Sequence, residues 1–292
     1  MEETLSNKKP NRPPKAISKQ EIQRSKNSFI SRLAGMRVLL FRILFIILFF
    51  TVTAFLFKNI IFDDIILAPK KPDFITNRIL HDISIFLGTA NEQSKTVVFE
   101  IMNIEMAGQF RAHISISFIL GLMISFPFIT IFIWRFIKPL VNREYVGNIN
   151  WILFFISILF ALGVFFGYFI IVPLTLDFLG GYSVSDTVVN RISFRSYAGI
   201  ITSVSFSIGL VFELPIIIYF LSKIGIASPH WLRKARKIAF VLFLALSAII
   251  TPPDVFSQIL VCLPLILLYE LSILLSGRVY RKRMKQWDDL QG

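Results

Sequence analysis

The sequence predicts an all-α membrane protein of six transmembrane helices, the last two short, with both termini in the cytoplasm. Three observations carry that expectation. Hydrophobic residues make up 55% and aromatic residues 14% of the 292, and mean hydropathy is +0.69, so the core of this protein is built in lipid. Apolar runs long enough to cross a bilayer recur along the chain. The basic residues fall unevenly between alternate connecting segments, as the topology of a multi-span protein requires.

Residues 1–37 are polar and basic, punctuated by Pro10, Pro13 and Pro14, the composition of a flexible cytoplasmic tail. The stretch lacks a signal-peptide cleavage pattern and is expected to be retained. The membrane domain is expected over residues 38–276, with spans at about 38–57, 114–134, 151–176, 198–221, 238–250 and 255–275, and a second basic tail over 277–292. After the first span, Ile75, Ile79, Ile83 and Phe86 recur at helical spacing. This predicts an amphipathic helix at the outer surface, as a cap over the bundle or as a partner-binding element.

Gly163 and Gly167 form a GxxxG pair in the third span, a spacing that lets another helix approach closely. The apolar run 238–250 gives roughly 20 Å of helix against a hydrocarbon core of about 30 Å. The run that follows, bounded by Asp254 and Glu270, is also short. Pro252 and Pro253 enforce a tight turn between them, so both cross only where the bilayer thins or where they sit recessed. Asp254 suits either the N-cap of the last helix or a role in partner binding.

Twenty-two of the 31 Lys and Arg lie on the terminal side of this six-span arrangement and eight on the opposite side. That excess predicts cytoplasmic termini. It also accounts for the net charge of +13 without nucleic acid as a partner.

One carboxylate interrupts the fourth span. Glu213 lies in the run IGLVFELPIIIY, two residues before Pro215, and Thr202, Ser205, Gly209 and Glu213 recur at helical intervals as one small and polar stripe. A charge at the centre of a membrane helix costs roughly 2.5–3.5 kcal/mol on the insertion scale. Such a group marks a site by default, and the competing reading is a carboxyl that serves helix packing alone.

Other chemistry finds no support. The single cysteine, Cys262, lies in an apolar run, and His81, His113 and His230 are scattered, so neither a disulfide nor a metal set is expected. The chain contains no GxxxxGK phosphate loop, no HExxH and no nucleophile elbow. No cofactor and no enzymatic activity are expected. A proton-coupled secondary transporter of small solutes would also use a membrane acid, but the two halves of the chain show no matching broken-helix pattern.

Several motifs, in order, resemble the TatC family, the polytopic core subunits of the twin-arginine protein translocase. They are LAP ending at Pro69, FP ending at Pro127, WRFIKP ending at Pro139, GYFIIVPL including Tyr168, FELP ending at Pro215, and TPPDVFSQ including Pro252, Pro253, Asp254 and Gln258. The resemblance is strong over residues 105–275. It implies a concave six-helix bundle in a bacterial inner membrane and export of folded cargo driven by the protonmotive force. It also implies binding of twin-arginine signal peptides through Arg37, Phe136 and Glu144. Contacts with single-span TatA/TatB-type subunits would fall at Glu213, Asp254 and Gln258, with homo-oligomers inside a Tat complex. Pro69, Pro127, Pro139, Tyr168, Pro215, Pro252 and Pro253 would be structural.

Two departures qualify that expectation. Ala34 and Gly35 stand where the family carries acids, and the loop PLVNRE is one residue shorter than usual. Altered or weaker recognition of twin-arginine signals is therefore expected, with a TatC-like scaffold lacking ordinary signal recognition as the alternative.

Overall fold

In the computed structural model the described residues are 19–86, 99–137, 149–182, 185, 191–251 and 255–291. Glu144, Pro139, Pro252, Pro253 and Asp254 lie outside them. The chain forms two compact units, residues 1–42 and residues 43–292. Helix α1, Lys19–Leu56, runs through both. It starts well before residue 38, inside the stretch expected as a tail, because no proline follows Pro14 to interrupt helical hydrogen bonding there. Within the first unit, the Arg37 guanidinium lies 5.6 Å over the Phe41 ring.

The second unit continues from the end of α1 into a π-helical turn, Ile60–Ile66, and a 3₁₀ turn, Ala68–Lys70, which has Pro69 at its first turn. The amphipathic helix follows as α2, Ile75–Phe86. Strands β1, Glu100–Met102, and β2, Arg191–Ser193, pair in parallel with Glu100 opposite Arg191. Three-residue strands carry too short a period to be read from sequence. An ion pair, Arg191 Nε to a Glu100 carboxylate oxygen at 3.5 Å, spans the same register.

Helix α3, Gly108–Ile137, holds Pro127 in its interior. Helix α4, Ile149–Phe166, runs through a π-helical turn, Gly167–Ile171, into α5, Val172–Gly181. The cause of the irregularity is local. Pro173 has no N–H for the Phe169 carbonyl four residues back, and the Thr76 hydroxyl of α2 donates to that carbonyl instead. The proline thereby supplies the acceptor that docks the amphipathic helix.

Helix α6, Phe194–Val211, is capped by Ser193, whose hydroxyl accepts from the Ser196 amide at 3.3 Å. It stops at Phe212 and Glu213, and α7, Leu214–Ile224, resumes with Pro215 in its first turn. The span read as continuous over 198–221 is therefore two helices. Gly225, at φ 90°, closes α7 in the left-handed conformation. The short α8, Pro229–Lys234, leads into α9, Arg236–Ile250, of 15 residues. At about 22 Å it stays below the hydrocarbon thickness, as its apolar run predicts.

Helix α10, Val255–Gln291, is 37 residues long. Its apolar segment, expected to be short because Glu270 bounds it, reaches 25 residues from Ser257 to Arg281, since Glu270 lies within it and pairs with Arg236 at 2.7 Å. The basic end, expected as a separate tail from residue 277, continues the same rod because it is rich in helix-forming Arg, Lys, Met and Gln. Among the described residues five helical segments meet the length and hydropathy of a full span, namely Gly35–Leu56, Gly108–Phe136, Trp151–Gly181, Phe194–Ile224 and Ser257–Arg281, and α9 is the short sixth. Within the second unit α6 packs against α3 and α4, and α7 against α10. Its buried face carries Tyr197, Ile201, Val204 and Ile208. Between α7 and α10, the buried Ser222 hydroxyl donates to Ser276 Oγ at 2.7 Å, a polar link of the kind that joins helices in lipid.

Candidate functional site

The site is built on a seam of small residues between α4 and α6. A Cβ placed on Gly163 would come within 2.7 Å of Phe212 Cβ and 2.8 Å of Gly209 Cα, and one on Gly167 within 2.9 Å of Ser205 Cα. On the facing side, a Cβ on Gly209 would lie 2.7 Å from Val164 Cγ2. Real Cβ atoms do not sit that close, so glycine at these positions is what allows the two backbones to touch. Thr202, Ser205, Gly209 and Glu213 thus face α4 as one stripe, and the first, second and last are 2%, 3% and 8% exposed.

Glu213 ends the stripe where the helix breaks. Pro215 lacks the N–H that would meet the Val211 carbonyl, and the chain turns through Phe212 and Glu213 before α7 begins. The Glu213 carbonyl accepts from the amides of Ile216 and Ile217 at 3.0 and 3.1 Å, which fixes the first turn of α7. Its carboxyl group lies against the Phe160 backbone of α4, and Oε1 is buried with no hydrogen-bond partner among the described residues. An unmet carboxyl oxygen inside a membrane span is a costly arrangement whether the group is charged or neutral. Chemically it is a ready acceptor at a helix break.

The other sequence-predicted residues occupy separate places. Gln258 on α10 donates its amide to the Leu244 carbonyl of α9 at 2.9 Å, tying the hairpin of the last two helices together. Tyr168 donates its hydroxyl to the Ile65 carbonyl at 2.6 Å, and Asn77 donates to the carbonyls of Pro69 and Lys71 at 3.2 and 3.1 Å. Pro69 and Pro215 are buried, while Pro127 is half-buried in α3. Phe136 is half-buried at the end of α3, and Arg37 is exposed on α1 in the first unit.

Sequence reasoning missed the setting of two side chains, one half-buried and one fully buried. His113, read as an isolated histidine, stacks on Phe55 with centroids 4.0 Å apart, and its Nε2 lies 3.1 Å from the Phe55 carbonyl. Tyr197 is fully buried among α6 contacts. Neither carries a local signal, since each partner is distant in sequence.

Six membrane helices with a short penultimate member, and a carboxyl group walled into a proline-broken span, define a multi-pass membrane protein built around an intramembrane acid. Residues 31–264 match the model of TatC, described as Sec-independent protein translocase protein. The chain is 39% identical over 232 residues to a Sec-independent protein translocase protein TatC of Blattabacterium sp. subsp. Periplaneta americana, covering 77% of this chain and 86% of that one. It is 36% identical over 170 residues to TatCy of Bacillus subtilis, covering 58% and 66%. A crystal structure of a twin-arginine translocase receptor, TatC, in the detergent DDM superposes with a TM-score of 0.67 at 30% identity, covering 84% of this chain and 99% of that one. The chain belongs to the TatC family of Sec-independent protein translocase proteins.

Proposed function

We propose that this chain is the core subunit of a twin-arginine translocase. It binds the twin-arginine signal peptides of folded cargo, assembles with single-span TatA/TatB-type subunits and with further copies of itself, and works in a bacterial inner membrane under the protonmotive force. The observation that carries this reading is the unmet Glu213 oxygen at the break between α6 and α7 in a chain of the TatC family. A partner helix that brings a hydroxyl or an amide into the membrane is the chemistry that offsets it. Gln258 and Asp254 are its proposed companions in partner contact.

Signal recognition is assigned to Arg37, Phe136 and Glu144. A carboxylate at Glu144 suits a guanidinium, whose planar fork pairs bidentately with it. The basic excess assigns both termini to the cytoplasm, with tails at 1–37 and 277–292 flanking a membrane domain of 38–276. Pro69, Pro127, Pro139, Tyr168, Pro215, Pro252 and Pro253 shape the turns and kinks of that domain.

The test is export of a folded reporter bearing a twin-arginine signal in cells deleted for the gene. Wild-type chain restores export, Glu213→Leu loses it, and Glu144→Ala lowers crosslinking of the signal peptide. Failure of the wild-type chain to restore export at normal membrane levels refutes the cargo reading. Ala34 and Gly35 favour a second reading, a scaffold without ordinary signal recognition. Co-purification of a single-span partner that depends on Glu213, with neither export nor signal-peptide crosslinking, selects it.

A further inference from the structure

Beside the end of the first span, a cavity of about 390 Å³ opens between the turn Ile60–Ile66 and helices α3, α4 and α6. That volume falls in the range of small-molecule sites. Its body is apolar, walled by Ile66, Leu120, Met123, Val164 and Ile201, with the exposed ring of Phe165 also lining it. Four polar side chains interrupt this lining, Asp64, Tyr168, Thr202 and Ser205, and the Tyr168 hydroxyl already donates to the Ile65 carbonyl. Thr202 donates to the Ala198 carbonyl at 2.9 Å. Ser205 is 3% exposed and its Oγ has no partner among the described residues. Asp64 is exposed and forms no ion pair among the described residues. The Lys71 ammonium donates to the Asp63 carbonyl at 3.1 Å, so a cation is anchored one residue from that carboxylate.

We propose that this cavity binds a zwitterionic aminophospholipid of the phosphatidylethanolamine class. Its acyl chain fills the apolar hollow, its ammonium pairs with Asp64, its phosphate lies toward Lys71, and an ester carbonyl accepts from the Ser205 hydroxyl. Leaving such a volume empty beside lipid tails would forfeit dispersion contacts over the whole wall, and ordered water needs two to four polar partners apiece, which apolar walls do not offer. An anionic lipid could lay its phosphate toward Lys71 equally well, but it brings no ammonium and would leave Asp64 without a cation. A partner helix about 10 Å across would exhaust the volume within about one turn, whereas a single acyl chain enters end-on.

The experiment uses the purified full-length chain in phosphatidylglycerol vesicles doped with a trace of phosphatidylethanolamine carrying a photoactivatable acyl chain. The control probe is phosphatidylglycerol with the same chain, and adducts are mapped by peptide mass spectrometry. The ethanolamine probe should label the walls around Leu120, Val164 and Ile201 about fivefold more than the control, the ratio expected for one favourable charge pair at a membrane surface. Asp64→Asn should bring the two probes level, and Leu120→Trp, which fills the hollow, should remove both. Because Asp64 is exposed, its variant reads out headgroup selection without disturbing the core. Equal labelling by both probes with no response to Asp64→Asn overturns the proposal, as does the absence of adducts from these walls.

Discussion

Gly163 and Gly199 both sit in membrane helices, yet the structure gives them opposite roles. A Cβ on Gly163 would press into Phe212 and the Gly209 backbone, while one on Gly199 meets nothing within 4 Å. Gly163→Val should therefore push α4 off α6 and destabilise the bundle by about 1–3 kcal/mol, the usual cost of overpacking. Gly199→Ala should be neutral or stabilising by up to about 1 kcal/mol, since alanine loses less backbone freedom in a helix. Thermal unfolding in detergent micelles compares them, and equal effects would remove the distinction. The GxxxG pair was legible in the sequence. Which helix it meets was not, because a small residue invites any neighbour.

At the scale of an element, the break between α6 and α7 follows from Pro215. Its missing amide removes the donor that the Val211 carbonyl would meet in an unbroken helix, and Glu213 occupies the resulting turn. Pro215→Ala should let the two helices merge into one straighter rod. Spin labels at cysteines replacing Ser203 and Ile224, both exposed, should report a longer separation in the variant, with Cys262 replaced by alanine. An unchanged distance distribution would mean that packing against α4 and α10, rather than the proline, holds the break. The same logic explains α2. Its amphipathic period was readable, but its docking through Thr76 onto the Phe169 carbonyl depends on a proline about a hundred residues away.

For the whole molecule, the excess of Lys and Arg in alternate segments makes a prediction about orientation. Cysteines at Ser6 and at the exposed Met284 should react with a membrane-impermeant maleimide only after cells are opened. A cysteine at the exposed Met106 should react in intact cells. The native Cys262 is 3% exposed and gives little background. Labelling of Ser6→Cys and Met106→Cys from the same side would overturn the six-crossing topology.

The sequence by itself determined the class of this protein, because apolar run length and charge bias are summed along the chain and need no third dimension. It also marked Glu213, since an acid in hydrocarbon is costly wherever its helix packs. Only the tertiary structure decided that the stripe below Glu213 closes onto α4, that α10 continues past its apolar part, and that two three-residue strands pair. It also revealed the cavity that Asp64 and Ser205 share. Those features arise where segments far apart in sequence meet, and their strength lies in contacts that neither segment encodes alone.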